Sequence, residues 1–372
     1  MAERRSHPGA EPASGDAAEM GRRLVERGRR AAGAMRPMAL PPPRGPVTEA
    51  LIAQLTGPEH APMGELDQAA SDALAASEDL LVDDDLQLAL FLMYELHYGG
   101  LEGVPDTWEW EPRLLAVRAT IEHEFEDALR QAIPQPVATR DVPEALFALV
   151  GAGDDGPSLS VFVEREATAG QVREVLACRT IYTLKEADPH SWAIPRLHAR
   201  AKSALVEIQA DEYGGGRPER LHATIFADAL RGAGLDDRYG AYADHVPATV
   251  YTSMNLMSHF GLHRRLRGAI VGHLAAYEMT SSLPCRAYAN GLRRLGFGDD
   301  VTDYFDEHVE ADAVHEQLAA RDLAGALAED EPEVASDILF GAAACLEIDG
   351  RLWGGLYEQF ERGESALRKP LP

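Results

Sequence analysis

The chain has 372 residues, 45% of them apolar, and its 61 Asp+Glu against 35 Lys+Arg give a formal net charge of −26. That length allows one large or two ordinary domains, and the apolar share is enough for a substantial core. The acidic balance opposes nucleic acid and anionic membrane surfaces, both of which call for a basic face. Cys178, Cys285 and Cys345 are far apart, which fits neither a disulfide framework nor a Cys-x-x-Cys site. No apolar run reaches the ~18 residues that span a bilayer, and no apolar stretch follows the N-terminal arginines as in a secretory signal. The expectation is a soluble, cytoplasmic protein that contacts neither nucleic acid nor membrane.

Residues 1–46 are Arg-, Pro- and Ala-rich and read as a disordered arm, since they bury too little apolar surface to offset their ordering entropy. Helical periodicity begins at about residue 47, with short candidates over 47–56, 64–77 and 84–98. A longer one spans 112–132, with Leu115, Ile121, Phe125 and Leu129 at helical spacing. The Gly- and Asp-rich stretch 150–160 reads as a loop, and as the seam between an N-terminal helical segment (47–150) and the main domain (160–367). In that domain Thr168 caps a helix running to about Glu186, and Pro195 opens a second that ends at Gly214-Gly215-Gly216. Pro218 restarts a third. A long fourth runs from about Pro247 to Met279, and Pro284 starts a fifth. Asp299 or Asp300 caps a sixth reaching about Leu327, and Pro332 begins a seventh reaching about Arg362. No segment alternates cleanly enough for a sheet, so the fold class is all-α.

One helix carries a pattern with chemical content. His308, Asp312 and His315 fall at i, i+4 and i+7, within roughly 60° of arc on one face. Two imidazoles and a carboxylate so arranged are how a helical bundle presents ligands to a metal, although a solvated acidic face has the same composition. Further ligands must come from other helices. Glu212 immediately precedes the Gly run and His222 follows it, so a tight turn can bring both to one point, and Glu186 ends the preceding helix. Other residues read as ordinary structure. His259 and His263 sit beside three arginines and read as an exposed basic turn. Glu122-His123-Glu124 has divergent side chains and is a poor metal site. Pro189 separates His190 from Glu186, while Tyr251, Met254 and Asn255 on the fourth helix read as packing residues, with a place facing the substrate as the alternative. Gly268 and Gly272, four apart, allow close approach of another helix.

The set Glu186, Glu212, His222, His308, Asp312 and His315 resembles the ligand pattern of the haem-oxygenase-like diiron oxidases and oxygenases, also labelled iron-containing redox enzymes. There one helix supplies a Glu, a second Glu precedes a His by ten residues, and a late helix supplies His-x-x-x-Asp-x-x-His. The segments Asp211–Gly216 and Ala275–Met279 are similar too. The resemblance covers roughly residues 165–367 and implies a haem-oxygenase-like bundle with extra N-terminal helices. It also implies that these six residues ligate two iron ions, with O₂ as co-substrate. Imidazole and carboxylate donors suit iron independently of the resemblance. No flavin or nicotinamide motif is present, so electrons come from an external donor.

The implied function is oxidation of a small amine or amino-acid-type substrate by N-oxygenation, desaturation, cyclisation or oxidative C–C cleavage, in a biosynthetic pathway. Two other readings remain open on the same residues: a metal-storage protein without turnover, and a metal-free hydrolase on the same fold. A homodimer is compatible with such a bundle, but no seam is visible in the sequence.

Overall fold

The computed structural model describes residues 37–58, 61–134, 139, 141–152 and 158–372, with the side chains of 310–314 outside the description. The described residues form helices joined by short turns and contain no strand, only a single bridge between Met38 and Leu101. An N-terminal group comprises α1 (Pro46–Thr56), α2 (Gly64–Ala76), α3 (Asp84–Glu95), α4 (Pro112–Ala132) and α5 (Val142–Gly151). There follow α6 (Leu159–Arg165), α7 (Ala169–Thr183), the single turn α8 (Asp188–Ser191), α9 (Ala199–Glu212) and α10 (His222–Gly232). The remainder is α11 (Ala248–Leu262), α12 (Arg267–Arg294), α13 (Asp299–Gln317), α14 (Ala326–Asp330) and α15 (Ala335–Glu361).

Helix α12 is the axis of the bundle. It packs along α15 and α13, and two glycines allow the closest of these contacts. A Cβ on Gly272 would overlap the Ile338 carbonyl, and one on Gly341 would overlap the Ala269 carbonyl. The two backbones therefore meet reciprocally, and Gly268 also faces α15, at Val334 and Asp337. Thr168 caps α7 with a reciprocal box: its Oγ1 accepts from Gln171 N, and the Gln171 side chain accepts from Thr168 N.

The structure departs from the sequence reading at several points. The predicted helix over 247–279 is two helices, broken where His263 takes an extended conformation. The break is held by Arg196, whose guanidinium donates to the Gly261 and Leu262 carbonyls that end α11. Pro284 does not start a helix but lies inside α12. A mid-helix proline costs about 3 kcal/mol in isolation, yet here the helix is buried on both sides of it, at Ala275, Ala276, Cys285 and Tyr288. Order also begins within the stretch read as an arm. Met38 is fully buried, and the Arg44 guanidinium bonds Asp84 and the Ala243 and Val246 carbonyls. Residues 1–36 lie outside the described residues. The buried side chains of α1–α5 form one hydrophobic cluster with those of the later helices, chiefly where α3 meets α11. No described helix is long and apolar enough to cross a membrane.

Candidate metal centre

Three local devices aim side chains at one point in the bundle. The first is the turn after α7, where Glu186 precedes Ala187 in a left-handed conformation (φ 74°). That conformation costs a non-glycine residue roughly 1–2 kcal/mol, and Gln209 holds it by donating to the Ala187 carbonyl at 2.8 Å. The second is the Gly run. Gly214, Gly215 and Gly216 all have positive φ, and a Cβ on Gly214 would lie 2.6 Å from the Arg220 carbonyl carbon. Only glycine fits there, and the resulting turn sets Glu212 Oε2 2.8 Å from His222 Nδ1. The third is α13, which carries His308 and His315 two turns apart. A π-helical stretch, Leu318–Gly325, follows directly and packs against α9.

The structure thus brings together five of the six sequence-predicted residues. Glu186, Glu212, His222 and His308 offer ligand atoms that all lie within 4.8 Å of one another. A second group, Glu212, Glu278 and His315, does the same and shares Glu212 with the first. Asp312 lies on α13 between His308 and His315, and its side chain is outside the described residues. Glu278 of α12 is the ligand-type residue that the sequence reading passed over. The signal was an acid within the otherwise apolar run Leu274–Met279, on a helix whose other neighbours are core residues.

Neighbouring groups orient these side chains. His308 Nδ1 donates to the Tyr304 carbonyl at 2.7 Å, which turns Nε2 toward Glu186 Oε1, 3.4 Å away. The Tyr304 hydroxyl reaches both Glu186 oxygens at 2.9 Å. His315 Nε2 donates to Asp211 Oδ2 at 3.1 Å, turning Nδ1 toward Glu278 Oε2 at 3.3 Å. Such carboxylate or carbonyl partners on the far ring nitrogen are the usual support of metal-bound imidazole.

Charge is concentrated here. Burial alone would lift the Glu212 carboxyl, but His222 outweighs it and holds the group at about 2. Burial would likewise lower the imidazoles. Glu186 instead raises His308 well above its ordinary value, Glu212 raises His222, and Glu278 with Asp211 brings His315 to about 9. Glu212 Oε2, His222 Nδ1, His308 Nε2 and His315 Nδ1 are buried and lack an aligned hydrogen-bond partner. Orphaned donor atoms of N and O type converging in a buried site suit a borderline cation such as iron. A cavity of about 370 Å³ opens beside them, with Glu186, Glu212, Glu278 and His308 in its wall.

A second buried cluster corrects the reading of His259 and His263 as an exposed turn. His259 is fully buried, its Nε2 3.0 Å from Glu126 Oε2, and His263 Nε2 lies 3.1 Å from Glu122 Oε1. Glu122 also accepts from Tyr94 at 2.9 Å and pairs with Arg118 at 3.2 Å, while Arg130 and Arg265 pair with Glu126. Glu122, His259 and His263 also offer ligand atoms within 4.8 Å of one another, but three guanidinium groups already pair with the two carboxylates there. Elsewhere, His190 Nε2 meets His273 Nδ1 at 3.1 Å in a pair that burial keeps neutral. Tyr251, Met254 and Asn255 are buried in the core and lie outside the cavity wall.

A sequence model of the family described as iron-containing redox enzymes matches residues 173–350, which include every residue of the two groups that share Glu212. A nitrosourea synthase of Streptomyces achromogenes subsp. streptozoticus is 32% identical over 149 residues, 39% of this chain and 31% of that protein. The chain therefore spans about a third of the length of this curated relative.

Proposed function

The chain belongs, through residues 173–350, to the iron-containing redox enzymes, and from that premise we propose that it is a diiron oxygenase or oxidase acting on a small amine or amino-acid-type substrate. Glu186, His222 and His308 would hold one iron ion, and Glu278 and His315 the other, with Glu212 shared between the two groups and Asp312 the further ligand that the family resemblance implies. The observation that carries this reading is the pair of adjoining ligand groups that share Glu212. Four carboxylates (Glu186, Glu212, Glu278 and Asp312) balance the charge of two divalent ions, so Glu278 removes the residual positive charge that three would leave. Iron held there supplies the capacity to reduce O₂ and oxidise an organic molecule, with electrons from an external donor.

The chain's own residues do the positioning. Tyr304 fixes both oxygens of Glu186, the Tyr304 carbonyl fixes the His308 ring, and Asp211 fixes His315. The cavity seats the substrate against the ligands and limits the water around it. A cavity of that size beside the ligands favours oxidation of an organic molecule over iron storage, which needs none. The relative's name, a synthase of a nitrosourea, supports a nitrogen-containing substrate. The test is O₂ consumption by iron-loaded protein with a reductant and a panel of amines and amino acids. A member of the panel should accelerate uptake and yield an oxidised product, and His308→Ala should abolish both. Uptake that no organic molecule alters would favour storage, and turnover of an ester or amide without iron would favour the hydrolase.

A further inference from the structure

The wall of the cavity away from the ligand groups holds two opposite charges that form no ion pair with each other. Arg179 on α7 lies seven residues before Glu186, about two helical turns or ~10 Å along the helix direction. Its guanidinium rests between the rings of Tyr288 and Trp353, each centroid 4.8 Å away, and its Nε has no hydrogen-bond partner. Among the described residues it forms no ion pair. Asp349 on α15 faces the same cavity. Its contacts are the Ser253 hydroxyl at 3.4 Å and Trp353, and it too has no cation at ion-pair distance among the described residues.

Elsewhere in this molecule buried charges are paired, as Lys185 is with Glu95 and Arg118 with Glu122. Arg179 and Asp349 are each half-buried and line the cavity, and two opposite charges that face one cavity without an ion pair leave room for a ligand that satisfies both. We infer that Arg179 and Asp349 are the headgroup-binding residues for a zwitterionic amino acid. Its carboxylate would lie on Arg179 and its ammonium group on Asp349, with its side chain running toward Glu186 and His308. This rests on the substrate class proposed above and deepens it by naming the residues that read the headgroup.

Two further observations agree. Burial lifts the Asp349 carboxyl to about 6 against the opposing effect of Arg179, so near neutral pH it is an anion awaiting a partner. The aromatic faces around Arg179 hold its side chain in place, the Tyr288 hydroxyl accepts one of its hydrogen bonds, and its Nε has no partner within the protein. The cavity of about 370 Å³ suits a ligand of amino-acid size.

The experiment is calorimetric binding to anaerobic iron-loaded protein, repeated on metal-free protein. The probes are L-norleucine, which carries both charges, hexanoate, which carries the carboxylate alone, and pentylamine, which carries the ammonium alone. Norleucine should bind at least ~10-fold more tightly than either single-charge probe. Arg179→Gln should weaken norleucine and hexanoate by ~10-fold or more and leave pentylamine unchanged, with Arg179→Lys recovering part of the loss. Asp349→Asn should weaken norleucine and pentylamine and spare hexanoate. Equal binding of the three probes, no binding of norleucine, or Kd values within twofold in both variants overturns the inference. If Arg179→Gln fails to fold, the Asp349→Asn pattern decides alone. Binding to metal-free protein keeps the two questions apart, because a chain that takes up no iron can still show or lack the headgroup preference.

Discussion

Replacing Tyr304 with Phe tests how the first ligand group is held. The hydroxyl donates to a carboxylate whose oxygens both lie 2.9 Å away, and both residues are buried. A hydrogen bond to a charged group contributes about 1.5–3 kcal/mol, which at 1.4 kcal/mol per decade is about 10- to 150-fold in affinity. Loss of an outer partner of a metal ligand typically costs a similar ~10–100-fold. The ring itself packs on Phe226 and Phe305 and is unchanged by the substitution, so the fold should persist. Anaerobic ferrous titration against a competing chelator reads the effect, with a thermal melt as control. Asp211→Asn provides the contrast. Asp211 also supports a ligand, His315, but its side chain is 62% exposed, so water substitutes for it and the loss should stay below about 3-fold. The reasoning fails if Tyr304→Phe binds iron within twofold of the parent, or if the two variants lose affinity equally.

Other consequences lie outside the ligand groups. Burial pushes Glu122 up, but His263 and Arg118 outweigh it and bring its pKa from 4.5 to about 2. A carboxyl depressed in the folded state stabilises above its unfolded pKa. That contribution, on the order of 3 kcal/mol, is lost as pH falls from about 4.5 to about 2. Melts across that range should show a steep decline that Glu122→Gln flattens, and an equally steep decline in the variant would refute the assignment. Gly272→Ala should lower stability by about 1–3 kcal/mol, because its Cβ meets the Ile338 carbonyl, which can yield only by separating α12 from α15. A melting temperature unchanged within a degree would show that the helices are not so closely set.

The legible part of the site was the part written in short-range spacing. His308 and His315 repeat at the helical period on one element, and Glu212 and His222 flank a Gly run whose positive φ angles force a tight turn. Glu278 had no such companion. It reaches the site because α12 crosses α13, and its one local sign is an acid in an otherwise apolar run, with no partner at a fixed spacing. Tertiary packing likewise overrode local propensity at Pro284, which sits inside a helix, and at His263, where Arg196 from a distant turn caps the break. The cluster around Glu122 was invisible for the same reason, since its members come from α3, α4 and the end of α11. Met38 and Arg44 look like arm residues by composition, yet they are tied down by Gly100, Asp84 and the Ala243 carbonyl.

The central claim is that two metal ions share Glu212, and it is tested most directly by counting iron. Anaerobic titration of the full chain with ferrous ion should reach an end point at about two equivalents, falling to about one in Glu278→Gln, which keeps the volume and removes the anion. An end point at or below one equivalent in the parent, or an unchanged end point in Glu278→Gln, would contradict it.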